Sequence, residues 1–410
     1  MLTKKYLIVL VFVLIIFVLI LKTIYSSSEK FIKNLVENNT QIKFIDIDKI
    51  SENNGNNIIV KNNRLYSRIA RSGEIGLAES YMDGDWYSDD LESTISELFL
   101  KSEILEYEIK KQSINFIFME LKEQIKNFIE NNSIKSSIKN VSHHYDIGND
   151  LYKKMLGKHM QYTCAYFNKP NMSLDEAQYA KMELIAKKLD LKPNMKILDI
   201  GCGYGSLASH LAVNYNVYVI GVTLSKEQKA YADEHYSHPN VKIELKDYRH
   251  LNGKFDRVYS VGMFEHIGRK NYHEYYNKCY ELLKSDGIML IHTIGTNYRK
   301  WHPHSFINKY IFPEGQLPHI ENLTGNFIDK WHLEDWQNFG LSYAKTLRCW
   351  YNNIGDWSDL ENYDEKFRRM WKLYLLGCAA NFQNRGICLW QIVYTKQNSN
   401  RSDDCHHIRI

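Results

Sequence analysis

Three glycines in the stretch LDIGCGYG are spaced to hold a nucleotide-like ligand close to the backbone. Gly201, Gly203 and Gly205 lie between the apolar run MKILDI and the helical pattern SLASHLAVNY. Glycine allows a tight turn and a close approach of ligand to backbone. The spacing is G-x-G-x-G, not the G-x-G-x-x-G of dinucleotide sites, and VIGVTLS after the second strand offers no acid for a ribose hydroxyl. The loop predicts a cofactor site and disfavours a dinucleotide.

A cysteine among aromatic residues, in QYTCAYF, raises a second chemical question. Cys164 could be plain buried packing, which is the ordinary role of such a cysteine. It could also line a pocket whose other walls come from distant parts of the chain. Cys378, in the apolar stretch LYLLGCAANF, presents the same two interpretations, and core packing is favoured there.

Strands alternating with helices from about residue 180 must position these motifs. The strand patterns MKILDI, VYVIGV, VKIEL, FDRVYSV and GIMLIHTI are separated by helical patterns, and FRRMWKLYLLGCAANF and LWQIVYTK add a last helix and strand. In SKEQKAYADEHY, Ser225 and Gln228 have the spacing of a capping box. This alternation predicts an α/β fold with a parallel, doubly wound sheet.

The chain ahead of that sheet has a different character. Residues 28–60 are polar and Asn-rich and predict a linker, and residues 398–410 predict a flexible tail. Apolar residues from about 92 to 130 recur at helical spacing, as at Ile114, Phe118 and Leu121. Packing against the next domain is the ordinary explanation for that face, and contact with a membrane is the alternative.

An apolar run from Tyr6 to Leu21, flanked by lysines, predicts a membrane anchor in residues 1–27. Sixteen helical residues span about 24 Å, slightly less than the roughly 30 Å of a bilayer core. A cleaved signal peptide is the alternative, but YSSSEK is a poor cleavage site. Lysines on both sides leave the orientation open.

Composition limits the partners. The 410 residues carry a formal net charge of only +4, so nothing indicates a nucleic-acid partner, and the mild positive bias is compatible with an anionic membrane surface. The seven cysteines are scattered without a CxxC pair, which argues against a disulfide framework and against a structural zinc site. We therefore predict no metal site and a reducing compartment.

Ordered motifs across most of the chain resemble the cyclopropane-fatty-acyl-phospholipid synthases, which are dependent on S-adenosylmethionine. They are YMDGDW, HYDIGNDLYKKMLGKHMQYTCAYF, LDIGCGYGSLA, GVTLSKEQ, DYRHLNGKFDRVYSVGMFEHIG, LIHTIG, NKYIFPEGQLP and LRCWYNNI. The resemblance implies a Rossmann-like class I methyltransferase domain over residues 136–397 and a small, mainly helical N-terminal domain over 61–135. Tyr204 stands where the family commonly has tryptophan, and an aromatic side chain is thereby retained.

The family transfers a methylene from S-adenosylmethionine to a cis double bond of a phospholipid acyl chain, through a carbocation that bound bicarbonate deprotonates. The resemblance implies an ion cage and catalytic residues at Cys164, Glu265, His292, the backbone of Ile294, Tyr351 and, less firmly, Cys378. It implies cofactor contacts at Tyr162, Thr163, Asp199, Gly201, Cys202, Gly203, Gly205, Thr223, Leu224, Gln228, Tyr248 and Arg249.

The same resemblance implies a phospholipid substrate in the membrane and a homodimer. Because S-adenosylmethionine is made in the cytosol, we expect the catalytic domain on the cytoplasmic side of the inner membrane. Two other functions remain open: a lipid methyltransferase that leaves a methyl or methylene branch, and a non-catalytic membrane scaffold. Intact motifs disfavour the scaffold.

Overall fold

The computed structural model describes residues 28–50, 54–112, 148–298, 304–313, 315–325 and 329–399. These residues form two compact units: 28–112 with 362–380, and 148–361 with 381–399. The predicted anchor and nearly all of the predicted tail lie outside the described residues. Within the described part, no helix is both long enough and apolar enough to cross a bilayer.

The first unit contains helices and a small sheet. Its strands β1, β2 and β3 pair in that order, β1 parallel and β3 antiparallel to β2. The strands are Phe44–Asp46, Ile58–Val60 and Trp86–Tyr87, and the helices are 28–39, Arg64–Met82, Leu91–Leu100 and Ser102–Gln112. The N-terminal unit is therefore not helical alone.

The residues predicted as a polar linker carry a helix and two of these strands. Ile32, Leu35 and Val36 are buried at helical spacing, so the polar residues between them form the exposed face of a helix. Asn57 accepts a hydrogen bond from the Lys43 backbone N–H at 2.8 Å. The asparagines here lie in turns between paired strands. Composition alone does not distinguish such turns from a linker.

Residues 362–380 belong to the first unit although they follow the predicted catalytic strands. The guanidinium of Arg369 donates to the backbone oxygens of Tyr81 and Trp86. At Gly377, an added Cβ would lie 3.8 Å from the Ile95 side chain. These contacts attach the segment to the N-terminal helices, across nearly three hundred residues of sequence.

The second unit is built on a seven-stranded sheet in the order β6-β5-β4-β7-β8-β10-β9. The strands are Lys196–Ile200 (β4), Tyr218–Thr223 (β5), Val241–Leu245 (β6), Phe255–Val261 (β7), Leu283–Gly295 (β8), Trp331–Asn338 (β9) and Cys388–Lys396 (β10). Five neighbouring strands are parallel, which confirms the doubly wound α/β core. The expectation of a wholly parallel sheet is wrong, because β10 runs antiparallel to both β8 and β9.

Helices cover both faces of this sheet, as alternate residues of β8 show. Met289 and Ile291 pack in one buried cluster with helix Tyr272–Leu282, and Ile288 and Leu290 pack in another with the helices of the opposite face. The helices of the unit are Asn149–Leu156, Leu174–Lys188, Ser206–Tyr215, Lys226–His235, Tyr272–Leu282, Ser305–Tyr310, Ile320–Thr324, Gly340–Ile354 and the end of Glu365–Gln383. The carboxyl ends of the parallel strands remain open between them.

Candidate active site

The glycine loop follows β4, and glycine is required at Gly203 and Gly205 for different physical reasons. All three glycines have positive φ, with values of 82° at Gly201, 54° at Gly203 and 87° at Gly205. A Cβ on Gly205 would lie 2.9 Å from the Cβ of Ala232, so this glycine allows helix packing. A Cβ on Gly203 would meet nothing within 4 Å, so its backbone faces open space. Gly203 is therefore the position where a ligand can approach the loop.

That open space is a cavity of about 190 Å³ at the carboxyl ends of β4, β5, β6 and β7. Of the predicted cofactor residues, all but Gly205 line it: Tyr162, Thr163, Asp199, Gly201, Cys202, Gly203, Thr223, Leu224, Gln228, Tyr248 and Arg249. The cavity brings together residues from four separate loops. Their individual contacts with a cofactor remain predictions.

The loop after β5 is held by a short hydrogen-bond chain. Ser225 accepts from the Gln228 backbone N–H at 3.2 Å, as a helix cap should. The Gln228 side chain does not complete the predicted capping box, because its oxygen accepts from the Thr223 hydroxyl at 2.7 Å. Complete capping boxes of the unit include the one between Ser173 and Glu176. Gln228 is thus oriented toward the cavity.

An acid that the sequence analysis did not select lies after β6. Asp247 lines the cavity and accepts from Arg249 three times, at 2.9 Å from the backbone N–H, 2.9 Å from Nε and 2.7 Å from Nη2. Burial alone would raise the pKa of this carboxyl, but the Arg249 hydrogen bonds outweigh it and lower the pKa. The motif KDYRHL contained this signal, since an acid two residues before an arginine can fix its guanidinium.

Asp199, at the end of β4, is a buried acid on the cavity wall. It accepts a hydrogen bond from the Tyr259 hydroxyl at 2.9 Å. Burial raises the pKa of Asp199 to about 7, and the Tyr259 hydrogen bond opposes that rise. The carboxyl therefore changes protonation near neutral pH.

The QYTCAYF segment is anchored on helix Gly340–Ile354. The Ala165 backbone N–H donates to the Thr346 hydroxyl at 3.0 Å, and that hydroxyl donates to the Ser342 carbonyl at 2.8 Å. Cys164 is fully buried, and its thiol donates to the Ala165 carbonyl at 3.1 Å. Burial raises the pKa of the thiol, so Cys164 is a neutral thiol and not a thiolate nucleophile.

Glu265 follows β7 and is held by β8. Its Oε1 accepts from the Ile294 backbone N–H at 2.7 Å, while its buried Oε2 has no hydrogen-bond partner in the described part of the chain. Burial raises the pKa of Glu265 to about 7, and the Ile294 hydrogen bond opposes the rise. The Ile294 backbone was predicted to contribute to an ion cage. In the structure its N–H donates to Glu265 and orients that carboxyl group.

His292 lies on β8 opposite Gln391 of β10. The Gln391 amide is 3.2 Å from Nδ1 and, as an N–H donor, leaves the imidazole proton on Nε2. Within the described residues Nε2 has no partner, although it is buried. Burial, with smaller effects from the charges of Lys181 and Lys188, lowers the pKa of His292 well below its usual value. His292 is a neutral donor with a free N–H.

Thr163 connects this pair to the cavity. The Gly262 backbone N–H donates to the His292 carbonyl at 2.9 Å, and a Cβ on Gly262 would lie 2.7 Å from the Thr163 methyl. Glu265, His292 and Ile294 therefore lie at the strand ends that border the cavity, next to the segment that carries Cys164.

Tyr351 is half-buried on helix Gly340–Ile354, on the side of the helix that also carries the buried residues Gly340 and Ala344. It is not among the residues that line the cavity. Its role in the ion cage stays a prediction.

Cys378 belongs to the first compact unit, whereas the cavity belongs to the second. Burial raises the pKa of its thiol to about 12, as expected for a packing residue. The structure gives its predicted catalytic role no support.

Lys181 and His266 are among the other polar residues that line the cavity and were not selected from the sequence. Lys181, from helix Leu174–Lys188, is almost fully buried. His266, beside Glu265, is neutral because burial lowers its pKa to about 4. A lysine in a helical pattern gives no sign that its side chain points inward.

A parallel sheet, a glycine loop that opens on a cavity, and polar loops at its other strand ends define an S-adenosylmethionine-dependent methyltransferase. Solved structures support this class. The cyclopropane synthase MmaA2 from Mycobacterium tuberculosis has a TM-score of 0.60 at 30% identity, covering 63% of this chain and 98% of that chain. Mycolic acid cyclopropane synthase CmaA1, complexed with SAH and CTAB, has a TM-score of 0.57 at 32% identity, with the same coverage of 63% and 98%.

The chain belongs to the mycolic acid cyclopropane synthetase family, whose model matches residues 132–392. The cyclopropane-fatty-acyl-phospholipid synthase of Escherichia coli (strain K12) is 42% identical over 341 residues, which is 83% of this chain and 87% of that protein. Cyclopropane mycolic acid synthase 2 of Mycobacterium tuberculosis (strain CDC 1551 / Oshkosh) is 34% identical over 63% of this chain and 96% of that protein. The resemblance predicted from the motifs is confirmed.

Proposed function

We propose that this protein transfers a methylene from S-adenosylmethionine to a cis double bond of a phospholipid acyl chain and forms a cyclopropane ring. The observation that carries the proposal is the pair Glu265 and His292. Each has one buried polar atom without a partner in the described residues. Neither lines the cavity itself, but each is next to a residue that does: Glu265 precedes His266, and the His292 carbonyl accepts from Gly262. The Escherichia coli relative supports the choice of a phospholipid substrate.

Orientation is the main contribution of the cavity to such a reaction. When bound, S-adenosylmethionine supplies a strongly electrophilic methyl group, whereas an alkene is a weak nucleophile. The glycine loop and Thr163 line the cavity that would hold the donor, and reaction would require the two reacting carbons to lie within about 3 Å. Tyr162 faces the cavity and packs against Trp350 at a centroid distance of 5.2 Å. An aromatic face can stabilise a developing cation by about 0.5–2 kcal/mol.

The residues fit a bound bicarbonate, which would supply the proton acceptor. The Nε2–H of His292 can donate to such an anion, and Oε2 of Glu265 can accept from its hydroxyl. Glu265 must be ionised for that role, and its pKa of about 7 permits this at neutral pH. Cys164 would contribute a neutral wall. The anion site that we propose thus rests on fewer residues than the predicted cage.

A second candidate is a lipid methyltransferase that leaves a methyl or methylene branch. A probable fatty acid methyltransferase of Pseudomonas putida is 36% identical over 65% of this chain and 70% of that protein. Both functions need the donor cavity, but ring closure also needs a proton acceptor beside the new methyl group. The free atoms of Glu265 and His292 favour cyclopropanation.

The proposal includes an enzyme attached to the inner membrane, with its catalytic unit on the cytoplasmic side, where S-adenosylmethionine is made. The apolar run from Tyr6 to Leu21 supports attachment. A homodimer is proposed on the family resemblance.

Purified full-length protein with phospholipid vesicles tests the function directly. Vesicles with cis-monounsaturated chains should give SAH and a product that gains one CH₂ and loses its alkene. Matched vesicles of short saturated chains, equally fluid, should give neither. SAH formation that is equal in both vesicles would contradict the proposal. Product that gains carbon but keeps an alkene would favour the branching methyltransferase.

The proton acceptor is tested in the same assay. In buffer stripped of carbon dioxide, turnover should fall and should recover when bicarbonate is added. Formate at the same concentration and pH controls for ionic strength. Turnover that is indifferent to bicarbonate would contradict the role of the anion and leave the methylene transfer to be judged by its product.

A further inference from the structure

A buried lysine faces the cofactor cavity with most of its donors unused. Lys181 has 1% of its surface exposed and lines the cavity. Its Nζ donates to the Thr163 hydroxyl at 2.6 Å, and in the described part of the chain this is its only hydrogen bond. An ammonium carries three N–H donors. Two donors therefore remain for a group that enters the cavity.

A comparison with Lys188 indicates that the burial of the Lys181 ammonium is not ordinary packing. Lys188 is buried on the same helix, and its Nζ lies 3.3 Å from Asp335 Oδ2. Lys181 forms no such ion pair with any described carboxylate. A buried charge without a partner is costly, and an apolar side chain of this length would fill the space without that cost. Burial lowers the pKa of Lys181 to about 7, so without an anion it is partly neutral.

A second buried residue of the same cavity also has unsatisfied polar atoms. Gln161 lines the same cavity, has 6% of its surface exposed, and neither polar atom of its side-chain amide has a partner within the described residues. Thr163, which accepts from Lys181, lines the same cavity, and a Cβ on Gly262 would lie 2.7 Å from its methyl group. The charge of Lys181 also lowers the pKa of His292. Unused polar atoms of two buried side chains thus line one cavity.

We propose that Lys181 and Gln161 form an oxyanion-binding subsite that takes a carboxylate-type group. The proposal rests on the proposed function for its ligands, because two groups of that reaction have this chemistry: the amino-acid carboxylate of S-adenosylmethionine, and bicarbonate. An anion beside Lys181 also prevents repulsion between the ammonium and the sulfonium of the donor. Lys181 is a binding and positioning residue in either case.

Binding measurements on Lys181→Met distinguish the two ligands without any turnover. Three probes are used: SAH, 5′-methylthioadenosine, which lacks the amino-acid carboxylate, and isotope-labelled bicarbonate followed by NMR line broadening. If SAH binds about tenfold or more weakly and the affinity for 5′-methylthioadenosine is unchanged, the subsite takes the cofactor carboxylate. If bicarbonate binds more weakly and the affinity for SAH is unchanged, the subsite takes bicarbonate. Lys187→Met, at an exposed lysine of the same helix, should change neither.

Two results would overturn the proposal: unchanged binding of all three probes, or equal weakening of all three with a lowered melting temperature.

If Lys181→Met fails to fold, proton uptake by Lys181→Arg tests the proposal instead. Oxyanion binding near pH ~8 should take up protons in the wild-type protein, because the anion fixes the lysine proton, and Lys181→Arg should bind without this uptake. Asp199 and His266 line the same cavity, and Glu265 and His292 are neighbours of residues that line it, so the readout is the difference in proton uptake between the two proteins. Equal uptake would refute the subsite. Failure of the vesicle assay would not affect these measurements.

Discussion

Glu265 is positioned through Oε1, which leaves its other oxygen available for chemistry. Ile294 holds Oε1 at 2.7 Å, and Oε2 is buried without a partner in the described residues. His292 is the complementary donor, because Gln391 occupies its Nδ1. One acceptor and one donor, both desolvated, are a suitable receptor for a small protic anion.

Glu265→Gln tests the acceptor. The amide oxygen can keep the Ile294 hydrogen bond, but an NH₂ group then replaces the free Oε2. We expect SAH affinity within about threefold of wild type and a fall in turnover of roughly 10²–10⁴. Calorimetry and the vesicle assay measure the two quantities, with Glu281→Gln at an exposed site as control. Comparable loss of SAH affinity and turnover would show a structural role instead.

The two buried carboxyls also predict how stability depends on pH. Burial raises the pKa values of Glu265 and Asp199 to about 7. From about pH 4 to about pH 7 the unfolded chain loses these protons while the folded protein keeps them, so their contribution to stability falls as the pH rises. For Glu265 the loss is on the order of 3 kcal/mol.

Urea unfolding at a series of pH values measures this dependence. Glu265→Gln should show a shallower decrease in the free energy of unfolding between about pH 5 and about pH 7 than the wild-type protein. A slope that is unchanged by the substitution would mean that the carboxyl ionises in the folded protein at its ordinary pKa.

At the scale of elements, the strand-to-helix turn after β4 separates ligand binding from packing. Gly203→Ala places a methyl group in the open space of the loop, with a backbone φ of 54°. We expect SAH affinity to fall by about tenfold or more and stability to fall by only about 1–2 kcal/mol. Gly205→Ala adds crowding against Ala232, so it should lose more stability and keep SAH affinity in the folded fraction. Calorimetry and urea unfolding compare the pair, and the reverse pattern would contradict the assigned roles.

The elements that the sequence predicted best are the five parallel strands, because each is a short apolar run next to an amphipathic helix. Strand β9 was missed because WHLEDWQN carries charged residues, which an edge strand tolerates. Most of the predicted cofactor residues line the cavity, because those after β4, β5 and β6 follow strand ends in the sequence, and their contacts with a cofactor stay predictions. Lys181 and Gln161 were not, because their role depends on the direction of their side chains and on burial by distant elements.

At the scale of the molecule, segments far apart in sequence form one N-terminal unit. Residues 362–380 join residues 28–112, and no local pattern indicates this pairing. Cys378 belongs to this unit, whereas the residues that line the cavity belong to the other. Long-range closure of this kind depends on side-chain contacts such as those of Arg369.

Deletion of residues 1–27 tests the proposed attachment. The truncated protein should keep its melting temperature and its SAH affinity and should sediment with membranes to a smaller extent, because an apolar run of sixteen or more residues is removed. Sedimentation is measured before and after a high-salt wash, which removes electrostatic contacts. Sedimentation equal to that of the full chain would show that the segment is dispensable for attachment.

The most direct test of the central claim is the product formed in cells. The full chain is expressed in a host that lacks cyclopropane lipids, with Glu265→Gln as the matched control, and acyl chains are analysed by mass spectrometry before and after ozonolysis. The account predicts chains that gain one CH₂ and resist ozonolysis in the wild type and are nearly absent in the control. Chains that gain carbon but are cleaved by ozone, or a branched saturated product, would contradict it.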